Sequence, residues 1–372
     1  MQSGEPLSGR FDWLDYVRLI CALWVMFGHF MVVGIHPTVG HGISDYGLAT
    51  DIARFGTIAV FLFLMMSGLV ITLVARRESA ETFVTHRVAR IYPSFFILMT
   101  LTALIGPLGP PKFHVTLPQY LANLAIDAPL FGYNFVGGVY WTLVIEIIFY
   151  LAVLVMVATG AIRRLQTVAV IWVLLQVAAL ALPRRLPLLG MEYSFLAAGV
   201  VFALYYQRRN ERLNLALLAI LLLLCLMCAL HYARLYHADE IITAGLTIGI
   251  FALFLFMRGR NPRLPAATRI GSMTYPLYLV HYHAGLTVFF LWINEANKWA
   301  LVLGTSAILI ALSFLFDDIV EFRMRRFWRK LARQTVARPF ARWDRWMARR
   351  GDATKPQSGE AADLPPPATQ SA

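Results

Sequence analysis

Long apolar runs alternate with short polar segments along almost the whole chain. Each run has about 20 residues, which is the length that an α-helix needs to cross the hydrocarbon core of a membrane. Charged residues and Gly or Pro breaks separate about ten such runs, at residues 13–35, 52–75, 91–109, 138–159, 165–183, 187–206, 213–231, 240–257, 273–293 and 299–321. We therefore predict an all-α integral membrane protein with about ten transmembrane helices.

Composition and charge support this fold class. Hydrophobic residues make up 59% of the chain and charged residues only 15%, a balance that is untypical of a water-soluble domain. The formal net charge is +12, and most basic residues fall in alternate loops; the opposite loops contain only Lys112, Arg184, Arg185, Arg234 and Lys298. Because the cytoplasmic side of a membrane protein keeps the excess of Lys and Arg, we predict that both termini are cytoplasmic.

The same pattern divides the chain into three regions. Residues 1–321 form one predicted helical membrane domain. Residues 322–350 alternate Arg with aromatic residues, which is typical of an amphipathic helix on an anionic membrane surface. Nucleic acid is a less favoured ligand for a basic segment that is tethered beside the bilayer. Residues 351–372 are rich in Pro, Ala, Ser and Asp, and we predict a disordered tail there.

The first apolar run contains two ionisable residues that share a helical face. Arg18 and His29 are separated by about three full turns, or about 16 Å along the helix axis. Ionisable groups inside a membrane are costly and usually face a cavity or one another. Imidazole is a suitable general base for an alcohol near neutral pH, so we predict a catalytic role for His29. The alternative is a structural histidine that bridges two helices.

Two further apolar runs are associated with charged residues. Arg87 and Arg90 precede the third run at a spacing that places both on one helical face, where guanidinium groups can bind phosphates. Alternatively, they are ordinary charges of a cytoplasmic loop. Glu146 lies in the fourth run at about the depth of His29, and we predict that its carboxylate orients the imidazole, as the third group of a catalytic triad does. A protonated, structural glutamate is the alternative.

Polar residues also occur in the segment TYPLYLVHYH, at the start of the ninth run. Tyr278 and His281 share a helical face and could hydrogen-bond a substrate, although aromatic and histidine residues are also common at membrane interfaces. A polar loop after the first run matches no common metal-site spacing, and we therefore predict no metal ligands. Its His and Asp residues are His36, His41, Asp45 and Asp51.

Five segments, taken in order, resemble the membrane acyltransferase 3 family of integral membrane O-acyltransferases, which modify bacterial surface glycans and some natural products. The segments are LDYVRLICALWVMFGHF, FLFLMMSGLVIT, HRVARIYPSFF, WTLVIEIIFYL and YPLYLVH. Residues that match the family's motifs are Arg18, His29, Ser67, Gly68, Arg87, Arg90, Pro93, Trp141, Thr142, Glu146, Phe149, Tyr150, Tyr275, Leu277, Tyr278, Leu279 and His281. Two positions depart from the family, because Phe61 and Ile147 stand where acidic residues are common.

The resemblance implies a bacterial inner-membrane enzyme that moves an acyl group from acyl-CoA to a hydroxyl group. Acetyl is the expected acyl group, and the acceptor is a glycan, a lipid-linked sugar or a related molecule. Acyl-CoA is then a co-substrate, and no cofactor is permanently bound. The implied site residues are His29 and Glu146 for catalysis, Arg18, Arg87 and Arg90 for acyl-CoA binding, and Trp141, Tyr150, Tyr278 and His281 for the acceptor channel.

Two other functions are compatible with the same residues. A glycan or lipid transporter would use buried charges to relay protons or to bind its cargo, although the sequence shows no pair of broken helices in two corresponding halves. A noncatalytic subunit of a polysaccharide export system would not need His29. Transfer of an acyl group from acyl-CoA distinguishes the enzyme from both.

Overall fold

A computed structural model describes residues 11–181 and 186–353, and every regular element in these two ranges is helical. Each predicted apolar run coincides largely with one main helix, and two further helices follow the last run. Their bounds are α1 Asp12–Gly28, α2 Gly56–Ala75, α3 Ala80–Ile105, α4 Trp141–Ala158, α5 Leu165–Ala179, α6 Tyr193–Tyr206, α7 Glu211–Leu235, α8 Glu240–Phe256, α9 Ala267–Trp292, α10 Lys298–Phe316, α11 Arg325–Thr335 and α12 Arg338–Ala353.

Shorter helical segments complete the fold. Two π-helical turns extend long helices, His29–Val33 at the end of α1 and Asp317–Arg323 at the end of α10. π-Helical turns are rare and frequently occur at functional sites. The remaining short helices lie in loops, and they are Pro37–Gly40, Leu48–Ala53, Gly106–Leu108, Pro111–Phe113, Leu117–Asn123, Ala128–Phe131 and Ala161–Arg164.

The described residues contain seven helical segments that are long and apolar enough to cross a membrane. These segments are built around α1, α2, α3, α4, α5, α7 and α10. The chain is thus a multi-pass membrane protein. Two shorter apolar helices, α6 and α8, have 14 and 17 residues. Helix α9 has 26 residues but is not among the seven. The number of about ten crossings and the cytoplasmic position of the termini stay predictions.

Helix α6 is a core helix. Its 14 residues give a length of about 21 Å, which is less than the roughly 30 Å of a hydrocarbon core. All but one of these residues are buried, and α6 is packed between α2, α5 and α7. A helix that is apolar on every side is stable where protein surrounds it completely.

The contact between α2 and α6 depends on two glycines. A Cβ atom added to Gly68 would overlap the carbonyl oxygen of Leu196, and one added to Gly199 would overlap the carbonyl oxygen of Met65. Small residues allow helix backbones to approach closely, which strengthens van der Waals packing where no hydrophobic force drives association. This contact attaches the α5–α7 side of the bundle to α2.

Helix α9 is attached to α1 in a similar way. A Cβ atom on Gly271 would collide with the side chain of Asp15, and one on Gly285 would collide with the ring of Phe30. Helix α9 also packs against α3 and α10. Helices α1, α2, α3, α4 and α9 therefore form a group whose inner faces meet.

Helix α3 begins earlier than the apolar pattern predicted. It starts at Ala80 instead of residue 91, because Ser79 caps its N-terminus by accepting a hydrogen bond from the backbone N–H of Thr82 at 3.3 Å. Arg87 and Arg90 consequently lie inside the helix, on its inner side, and not in a loop.

The basic segment after α10 forms two helices, α11 and α12, separated by a short turn. Helix α11 packs against α3, and α12 packs against α3 and α4. Three aromatic residues of these two helices are exposed, namely Phe327, Trp343 and Trp346. A position at a membrane surface stays a prediction. Helix α12 ends at Ala353, and most of the predicted disordered tail, residues 354–372, lies outside the described residues.

We expect Gly68→Ala and Gly199→Ala each to destabilise the protein by about 1–3 kcal/mol, because either methyl group overpacks the α2–α6 contact. The measurement is the thermal unfolding midpoint of the purified protein in detergent. Gly249→Ala in α8 is the matched control, since nothing lies within 4 Å of a Cβ atom at that position. Equal midpoints for all three variants would contradict the close contact between α2 and α6.

Candidate active site

A cavity of about 490 Å³ lies between α1, α2, α3, α4 and α9. At one end it is lined by Glu78 and by residues of α11; we call this end of the bundle the basic end. At the other end it reaches Thr142 and Tyr278, inside the bundle. The volume is within the usual range for a small-molecule site.

Six arginines and four carboxylates line the cavity, so positive charge is in excess there. The arginines come from four helices and are Arg18, Arg87, Arg90, Arg269, Arg325 and Arg329. The structure therefore brings the three predicted acyl-CoA ligands, which are among these six, to one cavity. Arginine is suited to phosphate because its planar guanidinium group donates paired hydrogen bonds.

Three of these arginines have carboxylate partners. Arg18 lies 3.1 Å from Asp15, one helical turn away on α1. Arg90 forms an ion pair with Glu321, whose other hydrogen bond comes from Ser94 at 2.8 Å. These contacts hold the guanidinium groups in place when no other anion is present.

The acidic residues at the end of α10 were not predicted as part of the site. Asp318 pairs with Arg269 at 2.5 Å, and Asp317 accepts a hydrogen bond from Ser272 at 2.7 Å. Both carboxylates belong to the π-helical turn that extends α10. In the sequence these residues form a group of acidic side chains at the end of the tenth apolar run, and this group is the feature that could have indicated their place in the site.

Arg87 has aromatic neighbours instead of a carboxylate. Its guanidinium carbon lies 5.9 Å from the ring centre of Phe83 and 5.8 Å from that of Tyr150, and its buried Nε atom has no hydrogen-bond partner among the described residues. The Tyr150 hydroxyl donates in turn to Glu146, which also accepts from Ser67 at 2.9 Å.

These contacts differ from the contact that we expected for Glu146. We expected this carboxylate beside His29, but its hydrogen bonds go to α2 and to Tyr150 one turn further along α4. The physical reason is the rotation of α4 about its axis, since depth in the membrane does not determine which way a side chain points. Glu146 lines the cavity and is connected to Arg87 through Tyr150.

The partner of His29 is His281. Nδ1 of His29 lies 2.8 Å from Nε2 of His281, and Nδ1 of His281 lies 3.0 Å from the carbonyl oxygen of Leu277. A carbonyl oxygen can only accept, so Nδ1 of His281 carries a proton. In a neutral pair, Nε2 of His281 then accepts the Nδ1 proton of His29. This tautomer leaves Nε2 of His29 with its lone pair, which is the state of a general base.

Tyr278 lies between the cavity and the histidine pair. It lines the cavity, its ring centre lies 5.8 Å from that of His281, and its hydroxyl is 2.8 Å from Oγ1 of Thr142. His281 is buried, whereas His29 is partly exposed, and neither lines the cavity. The histidines therefore lie just beyond the inner wall of the cavity.

The predicted acceptor-channel residues divide into two groups. Tyr150 and Tyr278 line the cavity with the arginines, while His281 lies beyond it beside His29. Trp141, at the start of α4, is half-buried against the hydrophobic core and does not line the cavity. Tyr275 does line it, and its ring centre is 5.6 Å from the guanidinium carbon of Arg90.

Comparison with known proteins identifies the family. Residues 11–318 match the Acyl_transf_3 family, described as an acyltransferase domain, and this range contains α1 to α10. Comparisons with curated proteins and with solved structures gave no match. The match covers most of the chain and all the helices that enclose the cavity, except α11. The chain belongs to the membrane acyltransferase 3 family, as its sequence motifs predicted.

Proposed function

We propose that this acyltransferase moves an acyl group, acetyl in the first instance, from acyl-CoA to a hydroxyl group of a glycan, a lipid-linked sugar or a related acceptor. The observation that supports the proposal best is the cavity itself, which has six arginines at its sides and the His29–His281 pair beyond its inner end. A phosphate-rich donor and a proton acceptor are the two requirements of this reaction.

The donor enters from the basic end in this proposal. The phosphates of acyl-CoA bind Arg18, Arg87 and Arg90, and displace part of their contacts with Asp15 and Glu321. The basic end is cytoplasmic by the positive-inside rule, and acyl-CoA is present in the cytoplasm of a bacterium. The protein would accordingly lie in the inner membrane. The acyl arm then extends along the cavity towards Tyr278.

His29 is the proposed general base. Its Nε2 atom takes the proton of the acceptor hydroxyl while the hydroxyl oxygen attacks the thioester carbonyl carbon. The carbon–sulfur bond breaks as the tetrahedral intermediate collapses, and the imidazolium returns its proton to the thiolate of CoA. His281 is a positioning residue, because the hydrogen bond that it accepts orients the His29 ring and selects the reactive tautomer.

Glu146 acts on the donor site in this proposal, not on the base. Its bond with the Tyr150 hydroxyl fixes the aromatic ring against Arg87, and its bond with Ser67 connects α4 to α2. Removal of the carboxylate should therefore weaken donor binding more than it slows the chemical step. If Glu146 were instead a partner of His29, its removal would slow the chemical step more than it weakens donor binding.

The proposal is tested with purified protein, radiolabelled acetyl-CoA and a total glycan and lipid extract as the source of acceptor. We expect His29→Ala to lower label transfer by about 10²–10⁴-fold, the usual contribution of a general base. His281→Ala should lower kcat, with little change in KM for acetyl-CoA. His281→Gln should recover part of the loss, because its carbonyl oxygen can accept the Nδ1 proton of His29.

A matched control is available on the same helix. His283 is also buried, with its ring centre 4.1 Å from that of Phe113, and it has no contact with His29 among the described hydrogen bonds and ring contacts. His283→Gln should retain full transfer. Unchanged activity in His29→Ala would eliminate the proposed mechanism, and a wild type that neither binds nor consumes acetyl-CoA would eliminate the proposed donor.

The role of Glu146 is tested by separating kcat from KM. We expect Glu146→Gln and Tyr150→Phe each to raise KM for acetyl-CoA several-fold, with a smaller effect on kcat, because both changes weaken the support of Arg87. The two substitutions together should have little more effect than either alone, since they interrupt one interaction. A large loss of kcat with unchanged KM in Glu146→Gln would instead indicate that Glu146 supports His29 in the chemical step.

A further inference from the structure

Helix α11 contributes to the cavity although it lies outside the segment that matches the family. The match ends at residue 318, and α11 begins at Arg325. Arg325 and Arg329 both line the cavity, and their spacing of four residues places them on one face of the helix. One wall of the cavity is thus formed by residues that follow the acyltransferase domain in the sequence.

Contacts with α3 hold α11 in this position. Nε of Arg333 lies 2.6 Å from the carboxylate of Glu81, in the first turn of α3. The indole nitrogen of Trp328 donates to the carbonyl oxygen of Val320 at 3.0 Å, which fixes the start of α11 to the middle of the π-helical turn. The helix is therefore fixed at both of its ends.

Helix α12 strengthens this attachment. The carboxylate of Asp344 accepts hydrogen bonds from the backbone N–H groups of Ala80 and Glu81, at 3.3 and 2.9 Å. These groups belong to the first turn of α3, where N–H groups have no partner inside the helix. The indole nitrogen of Trp343 donates to the carbonyl oxygen of Ala158, at the end of α4. Two helices of the bundle thus hold α11 and α12 across the basic end.

The two arginines of α11 that line the cavity, Arg325 and Arg329, differ from Arg333, which pairs with Glu81. Ion pairs connect Arg18, Arg90 and Arg269 to carboxylates, but the described residues provide no such pair for Arg325 or Arg329. Partial burial, together with the nearby positive charges of Arg325 and Arg87, lowers the pKa of Arg329, and the carboxylate of Glu78 offsets only part of this effect. Arginines that line a cavity and form no ion pair within the described residues are available to bind a multiply charged anion.

We propose that α11 completes the donor site, and that Arg325 and Arg329 join Arg87 in binding the phosphates at the nucleotide end of acyl-CoA. This inference depends on the proposed function, because it takes acyl-CoA as the donor. Coenzyme A carries a diphosphate and a ribose phosphate, which present several negative oxygens to paired guanidinium groups. The acyl arm has no such charge and continues towards Tyr278.

The geometry favours the donor over an anionic lipid as the source of the phosphate. Arg325 and Arg329 are exposed, but they line a cavity that continues to Tyr278 and Thr142. Phe327, which is also exposed, does not line this cavity, as expected for contact with a membrane surface. A lipid headgroup would bind at that surface and would not need the deeper part of the cavity.

The test compares two double variants of the full-length protein in detergent. Arg325→Ala/Arg329→Ala removes the two cavity arginines. Arg326→Ala/Lys330→Ala is the matched control, because it removes two positive charges at the same spacing from the same helix, and neither residue lines the cavity. Size-exclusion chromatography and the thermal unfolding midpoint establish that each variant is folded. The probe is coenzyme A, whose affinity is measured by isothermal titration, with pantetheine as the probe without phosphates.

We expect Arg325→Ala/Arg329→Ala to weaken coenzyme A binding by about tenfold or more, since each substitution removes charged hydrogen bonds to phosphate. The affinity of the control Arg326→Ala/Lys330→Ala for coenzyme A should differ from that of the wild type by less than about twofold. Pantetheine binding should be equal in all three proteins. An Arg87→Ala variant should lose affinity for coenzyme A as the α11 variant does.

Several outcomes would overturn the inference, and they are distinct from failure of the proposed function. If the wild type and Arg325→Ala/Arg329→Ala bind coenzyme A equally while Arg87→Ala does not, α11 has no part in a genuine donor site. Equal losses in both double variants would indicate a general effect of net charge. If phosphatidylglycerol binding, but not coenzyme A binding, depends on Arg325 and Arg329, they form a lipid site. If the wild type does not bind coenzyme A, acyl-CoA is not the donor, and the proposed function itself fails.

Discussion

A guanidinium group inside a membrane protein needs an anion or a hydrogen-bond acceptor from the protein, because its desolvation is otherwise too costly. In this protein the acceptors come largely from the end of α10. Glu321 binds Arg90 of α3, and Asp318 binds Arg269 of α9. Three helices, α3, α9 and α10, are thereby joined around one cavity.

The histidine pair depends on the same arrangement. Helix α9 carries Arg269 at the basic end and His281 three turns further into the bundle. Gly271 and Gly285 allow α9 to lie directly against α1, so that His281 reaches His29. The ion pairs that form one end of the cavity and the pair of imidazoles beyond its other end are consequently positioned by a single helix.

The relation between the cavity and the histidines is informative about the proposed reaction. The arginines are on one side of Tyr278, and His29 is on the other. An acyl donor that is bound by its phosphates would present only its acyl end to the base, and a partly exposed His29 leaves room for an acceptor to approach separately. In the proposed reaction, such a division would keep the thioester away from water until the acceptor is in place.

The sequence by itself determined the helical membrane fold, the positions of the ten apolar runs and the family. These features are local: run length, charge placement and short motifs are properties of neighbouring residues. It also indicated that Arg18, Arg87 and Arg90 belong together, and the cavity contains all three. Polar residues in apolar runs are informative because their cost must be offset by a partner.

Only the tertiary structure decided which partner each of these residues has. Glu146 contacts Ser67 and Tyr150 instead of His29, and α6 is a short core helix although its apolar run resembles a full crossing. Arg325 and Arg329 of α11 reach the cavity because α3 provides the contacts that hold that helix. The physical reason is that the rotation of a helix about its axis, and the side of the bundle on which it packs, depend on contacts between residues far apart in sequence.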